Sequence, residues 1–262
     1  MMNTMNTIRA DFYRISRGKA LYVTMAVLLS FVALLVLTDM EVMVGINTDV
    51  IDMDVAATNG MTAARQMLTR MDSLIFMLVP LFIIVATAMF SCGSVKNEIS
   101  IGMSRGKLYA AKLALSSVLC VVFMAVYMIS GILSVAAFRG IGNWTAGFFA
   151  TVLKAFGAQA VILLACNAIG VFLSFATRRT AAVIGIYIAV IYVPAMVLTL
   201  LAERFTSLAG LYKYDITYCL KFFSYIDMMT GADIVRGLAV GAVYIIASTV
   251  AGVALFRRAE IK

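Results

Sequence analysis

The sequence predicts an all-α membrane protein with six transmembrane helices. Hydrophobic residues make up 63% of its 262 residues and charged residues only 13%, which lies far outside the composition of a soluble globular domain. A helix needs about 20 apolar residues to cross a hydrocarbon layer of about 30 Å. Six stretches of roughly this length form one transmembrane domain over 1–262: 20–38, 74–90, 113–138, 152–175, 181–201 and 234–256.

The segment 1–19 precedes the first span and is typical of an amphipathic helix lying in the membrane interface. Its apolar residues recur at intervals of three or four: Met5, Ile8, Phe12 and Ile15. Its charged residues fall elsewhere on the helical wheel, with the basic side facing outward: Arg9, Asp11, Arg14 and Arg17. Anchoring to anionic lipid and docking to a cytoplasmic partner explain such a helix about equally well.

The connections between the spans alternate in charge, and this alternation predicts the orientation. One set of alternate segments is strongly basic, with 13 Lys and Arg residues against three acids: 1–19, 92–112, 178–179 and 257–262. The rest of the chain has 8 Lys and Arg residues against ten acids. Because Lys and Arg are retained on the cytoplasmic side of short loops, both termini are predicted to be cytoplasmic.

The two longest connections are then predicted to lie outside. Segment 39–72 reads as an outer loop with six acids and only two bases. Segment 202–233 is rich in Phe and Tyr, and its composition suggests short helices at the outer interface before the sixth span. An ordinary packed loop explains the second segment equally well.

Several kinds of chemistry are disfavoured by what the sequence lacks. It contains no histidine, which argues against His-dependent hydrolysis and against the usual proton relays. Its four cysteines form no C-x-x-C pair, so neither a metal site nor a disulfide framework is indicated. No charged residue lies near the middle of any predicted span, where ion-coupled carriers usually place one. We therefore expect neither an enzyme nor a cofactor-binding chain.

A few polar residues fall inside the predicted spans and are candidates for a substrate path: Gln159, Asn167 and Tyr187. Hydrogen bonding between helices is the simpler explanation, since polar side chains in membranes commonly bond across helix interfaces. Contact with a substrate is the alternative.

The most distinctive stretch is "CGSVKNEISIGMSRGKLYAAKL", residues 92–113, which concentrates charge between two apolar spans. Its segment "GMSRGKL" has three residues between the glycines and Leu108 after Lys107, so it lacks the spacing and the magnesium ligand of a nucleotide-binding loop. We predict instead that residues 95–108 form a charged helix across the cytoplasmic face, between spans 2 and 3.

This stretch resembles the segment after the second span in type-2 ATP-binding-cassette permeases, notably the bacterial group that handles antimicrobial peptides and bacitracin- or lantibiotic-like compounds. The matching residues are Gly93-Ser94-Val95-Lys96-Asn97, Gly102-Met103-Ser104-Arg105 and Lys112. The close of the chain, "ALFRRAEIK", is also similar to the family's usual ending. One departure is that Ser91-Cys92 stand where the family often has an acid.

The resemblance implies that this segment is a coupling helix seated in a groove of a separate ATPase subunit. The residues it assigns to that contact are Lys96, Asn97, Glu98, Gly102, Arg105 and Lys112. It implies the permease subunit of an exporter in the bacterial plasma membrane. ATP and magnesium would be bound by the partner subunit rather than by this chain.

The expected partners are the ATPase, a second permease copy or a related permease, and membrane lipid, with no nucleic acid. The alternatives are a membrane sensor or anchor that detects an extracellular compound without transporting it and, less favoured, an ATP-independent carrier.

Overall fold

Helices account for nearly all of the chain that the computed structural model describes, namely residues 4–38, 57–91, 93–100, 103–205 and 210–258, and no strand occurs in these ranges. This confirms the all-α class. The α-helices in chain order are α1 Thr4–Arg17, α2 Lys19–Thr38, α3 Gly60–Thr69, α4 Leu74–Phe82, α5 Ala88–Ser91, α6 Ser94–Ser100, α7 Arg105–Arg139, α8 Ala146–Thr177, α9 Thr180–Arg204, α10 Ile216–Phe222 and α11 Gly231–Arg258.

Six helices in the described ranges are long and apolar enough to cross a membrane, as the sequence predicts. They are α2, the span Met71–Phe90 built from α4 and α5, α7, α8, α9 and α11. Most extend beyond the predicted bounds, and α7 begins at Arg105 rather than at 113. Hydropathy locates only the apolar part of a helix, and polar first turns continue it without a break because they lie beyond the hydrocarbon.

The second span is irregular. Pro80 lacks the amide that would donate to the carbonyl of Phe76, and a wider π-helical turn follows at Ile83–Thr87. These two features divide the span into α4 and α5.

Helix α8 lies at the centre of the bundle. In its most apolar window 67% of the residues are buried, whereas the corresponding share is 22% in each of α2, α9 and α11. Gly170 allows α8 and α4 to approach closely, because a β-carbon at this position would overlap the ring of Phe82. The peripheral helices keep large apolar side chains exposed, as a hydrocarbon environment permits: Val27, Leu34, Val193, Met196, Leu200 and Val243.

The expectation that 39–72 is a loop is wrong for its second half, which contains α3. Asn59 and Thr62 form a reciprocal cap, with the Asn59 side chain accepting from the Thr62 amide and the Thr62 hydroxyl accepting from the Asn59 amide, both at 3.0 Å. The buried face of α3 carries apolar residues at helical spacing: Ala63, Ala64, Met67 and Leu68. The acids between 39 and 54 lie outside the described residues.

Short helical segments precede the last span, as predicted from the aromatic composition. They are the 3-10 turn Leu211–Tyr214, α10 and the 3-10 segment Phe223–Met228. Asp215 begins α10 by accepting hydrogen bonds from the amides of Thr217 at 2.8 Å and Tyr218 at 3.1 Å. Their side of the membrane stays a prediction.

The connecting segments gather at two ends of the bundle. We call one the α3 end: the Gly60 amide donates to the Gly140 carbonyl at 3.0 Å, and Arg65 pairs with Asp227 at 3.1 Å. We call the other the α6 end, where α1, α6, the start of α7, the α8–α9 turn and the close of α11 meet. The segments predicted to share the cytoplasmic side are therefore together at the α6 end. Which end faces the cytoplasm stays a prediction.

Candidate coupling site at the α6 end

A lysine buried at the α6 end joins three helices. The Lys112 side chain is 0% exposed, and its Nζ lies 2.6 Å from Asp11 Oδ2 on α1 and 3.5 Å from Glu98 Oε1 on α6. Arg14 adds a second cation to Asp11 at 3.2 Å. Removing charges from water is costly unless they are paired, so this arrangement holds α1 and α6 firmly against α7.

The position of Lys112 follows from the helical periodicity of α7. Leu108, Leu115 and Leu119 are buried, and Lys112 shares their face of the helix. This face packs against α1, on which Thr7, Asp11 and Ile15 are buried at four-residue spacing. An apolar seam therefore encloses the ion pair.

The buried face of α1 differs from the predicted one. Asp11 was expected to face outward with the arginines, but it is 6% exposed, whereas Phe12 of the predicted apolar stripe is 50% exposed. The reason is Lys112, because a buried ammonium requires a carboxylate beside it. Whether α1 lies in a membrane interface stays a prediction.

Helix α6 is also held by the chain that follows it. The Met103 amide donates to the Glu98 carbonyl at 3.4 Å, and the Thr7 hydroxyl lies 3.6 Å from the Met103 sulfur. The second carboxylate oxygen of Glu98, Oε2, is buried and has no hydrogen-bond partner among the described residues. Helix α6, Met103 and α1 are thus in contact with one another.

The predicted single helix over 95–108 is wrong, because α6 ends at Ser100 and α7 begins at Arg105. Ser104 between them has extended dihedral angles of φ −68° and ψ 143°. Glu98 and Arg105 therefore lie on different helices, and Glu98 pairs with Lys112.

Arg105 binds the last turn of α11. Its Nη1 donates to the Arg257 carbonyl at 2.9 Å and to the Phe256 carbonyl at 3.5 Å. The last carbonyls of a helix have no intrahelical donor and carry partial negative charge, which a guanidinium satisfies well. The start of the third span is thereby tied to the end of the sixth.

An aromatic cluster lies at the α6 end, where α5, α7, α8 and α11 meet. Phe175 on α8 makes ring contacts with Phe90, Tyr109 and Phe256 at centroid distances of 5.4, 4.8 and 4.8 Å. A glycine at position 252 admits Tyr109, because any β-carbon there would overlap its phenol. The α6 end is therefore a packed junction of α5, α7, α8 and α11.

The tight α8–α9 turn closes over this cluster. Arg178 adopts the left-handed conformation at φ 56°, and its guanidinium lies 5.7 Å from the centre of the Phe90 ring. Only two residues separate the end of α8 at Thr177 from the start of α9 at Thr180, so the two spans pack as a helical hairpin.

The structure brings only part of the predicted coupling set together. Glu98 and Lys112 are in contact, and Arg105 contacts α11. Lys96 and Asn97 lie within α6, and Gly102 lies outside the described residues. Contact of any of these residues with an ATPase stays a prediction.

The candidate substrate-path residues are all buried and bonded between elements. Gln159 Nε2 donates to the carbonyls of Leu68 at 2.9 Å and Leu220 at 3.0 Å, so it ties α3 and α10 to α8. Asn167 Oδ1 accepts from Ser116 at 2.5 Å. The Tyr187 hydroxyl donates to the Ile75 carbonyl at 3.4 Å. These bonds fit the simpler explanation, and contact with a substrate stays a prediction.

Sequence reasoning missed Asp11 as a member of the site. The available signal was that Asp11 is the one acid of a basic leader and stands between Thr7 and Ile15 at four-residue spacing. The described residues contain no group of three or more His, Cys, Asp or Glu side chains that could hold a metal ion.

Helix content and six apolar spans define the chain as a multi-pass all-α membrane protein. No protein-family model matches the sequence, and no curated protein is significantly similar to it.

Proposed function

We propose that this chain is the permease subunit of an ATP-binding-cassette exporter that moves a peptide or a hydrophobic antimicrobial compound. ATP would be hydrolysed on a separate subunit, and two permease chains, identical or related, would form the pathway. The chain would lie in a bacterial plasma membrane, contact the surrounding lipid and have both termini in the cytoplasm. It originates in the resemblance of residues 93–112 to the coupling segment of such permeases.

The observation that supports it best is the buried contact of Lys112 with Asp11 and Glu98. An ATPase that drives a permease must deliver its work as motion, and the receiving helix must not slide freely on the bundle. Because Glu98 on α6 is paired with a lysine on α7, a displacement of α6 is passed directly to the third span. The Asp11 contact passes the same displacement to α1.

A second contact extends this path. Arg105 joins the start of α7 to the last carbonyls of α11, so motion at the α6 end reaches the sixth span as well. Packed helices respond to such forces by small shear and hinge movements. The α6 end therefore has the connections that force transmission requires.

The proposal is tested by purifying the tagged chain from the membranes of its own cells in mild detergent. We expect an ATPase with a nucleotide-binding loop to co-elute and to be stimulated by the exported compound in reconstituted vesicles. Lys96→Glu on α6 is expected to reduce both co-elution and stimulation. Lys213→Glu at the α3 end is the matched charge-reversal control and should change neither.

Two outcomes would contradict the proposal. If the purified chain carries no ATPase and its vesicles show no ATP-dependent uptake, it is not an exporter subunit. If an ATPase co-elutes and responds to the compound but nothing is transported, the chain belongs to a sensor instead.

A further inference from the structure

A cavity of about 650 Å³ opens at the α3 end between α8, α11 and the 3-10 segment Phe223–Met228. Its volume falls within the range of small-molecule sites, about 300–1,000 Å³. The lining residues on which the argument depends are Lys154, Gly157 and Ala158 on α8, Asp227 on the 3-10 segment, and Ile234 and Leu238 on α11.

Most of the cavity wall is apolar, so the cavity can accommodate a hydrocarbon chain. On α8, Lys154 and Ala158 are four residues apart and so lie on one face of the helix. Ile234 and Leu238 present an aliphatic wall from α11 at the same spacing. A β-carbon at Gly157 would meet no atom within 4 Å, so the space beside α8 is open.

The charges of the lining favour an anion. Asp227 is already paired with Arg65 at 3.1 Å. Lys154, by contrast, has no ion-pair partner among the described residues, and its side chain is exposed. The cavity thus offers one uncompensated ammonium beside an apolar crevice.

The depth of Lys154 matches a lipid phosphate. Helix α8 has 32 residues and is therefore about 48 Å long, at about 1.5 Å per residue. When the helix is centred in a hydrocarbon layer of about 30 Å, about 9 Å of it extends beyond the layer at each end. Lys154 lies about 12 Å from the first residue of α8, within one turn of that boundary. A lysine at this depth extends its ammonium to the headgroup level.

We propose that this cavity binds an anionic phospholipid, with the phosphate on Lys154 and one acyl chain between α8 and α11. The bilayer supplies such a ligand, and its shape matches a site with one cation above an aliphatic crevice. The proposal concerns the α3 end alone and does not depend on the exporter function.

The test is native mass spectrometry of the delipidated protein titrated with dioleoyl phosphatidylglycerol or dioleoyl phosphatidylcholine. Wild type should bind the anionic lipid more tightly. Lys154→Gln should weaken its binding about fivefold, the effect of one basic residue near an anionic headgroup, and leave phosphatidylcholine unchanged. Lys213→Gln, at the same end but off the lining, should bind like wild type.

Gly157→Leu tests the acyl crevice, because its side chain fills the open space and should weaken both lipids. Gly185→Leu, whose β-carbon also meets no atom within 4 Å, is the matched control on α9. Glycerol phosphate should not displace the lipid, since it lacks the acyl chain. Equal binding of the two lipids, an unaltered Lys154→Gln variant, or displacement by glycerol phosphate would each overturn the proposal.

Discussion

Replacing Lys112 with Met should destabilise the protein more than any other change of a single charge at the α6 end. The side chain is fully buried, and its ammonium lies 2.6 Å from Asp11 and 3.5 Å from Glu98. Methionine fills a similar volume but leaves two carboxylates without their common cation. Arg14 lies 3.2 Å from Asp11 Oδ1 and compensates the Asp11 carboxylate in part, but Glu98 keeps no such cation from Arg14.

The magnitude follows from these distances. With an effective dielectric constant of about 20, the gross attractions are about 6 and about 5 kcal/mol, most of which is offset by the desolvation of the charges. Removing one partner of a buried pair costs about 3–5 kcal/mol, because the remaining charge stays buried. We expect Lys112→Met to fall in this range.

The assay is unfolding in mixed detergent micelles, followed by the fluorescence of the single tryptophan, Trp144. Lys107→Met is the matched control, since Lys107 is exposed on the first turn of α7, and it should change the free energy of unfolding little. A second readout is the labelling of Thr7→Cys. Thr7 is 3% exposed, and the introduced thiol should become accessible if α1 leaves α7.

A double-mutant cycle separates the ion pair from packing. Asp11→Asn combined with Lys112→Met should be less destabilised than the sum of the two single variants, by about 1–3 kcal/mol. Equal stabilities for Lys112→Met and Lys107→Met, or strict additivity in the cycle, would refute the argument that the buried charges stabilise each other.

Two further predictions concern single positions elsewhere in the bundle. Cys219 is 4% exposed, its thiol lies 3.4 Å from the Lys213 carbonyl, and burial raises the pKa of the thiol to about 12. Because the thiolate is the reactive form, a membrane-impermeant maleimide should label Cys219 slowly at neutral pH. Labelling should become faster only at strongly alkaline pH or after unfolding. The control is Tyr214→Cys, at a position 55% exposed, and equally fast labelling of Cys219 would contradict the prediction. Gly252→Ala should lower the free energy of unfolding by about 1–3 kcal/mol in the same assay, because the added β-carbon overlaps the Tyr109 phenol. Gly185→Ala, where the β-carbon meets no atom within 4 Å, should be tolerated. An equal effect of the two substitutions would argue against the close contact at Gly252.

The sequence by itself determined the all-α class and the six membrane-length helices. Both depend on local properties, since a run of apolar residues either is or is not long enough to cross a hydrocarbon layer. The alternation of charged connections likewise predicted which segments share an end, because successive spans must run in opposite directions. The aromatic composition of the segment before α11 suggested short helices but left an ordinary packed loop as an equal alternative, and the structure decided for the helices.

Only the tertiary structure decided which polar groups meet. Asp11 and Lys112 are 101 positions apart, and their pairing depends on the rotation of α1 and α7 about their axes. The bonds from Gln159 to Leu68 and Leu220 depend in the same way on where α3 and α10 pack. Helix α3 was missed because its capping residues and alanine-rich face are weak signals beside an acidic segment. Pairwise contacts between distant residues are fixed by the packing of the whole bundle, which local patterns do not specify.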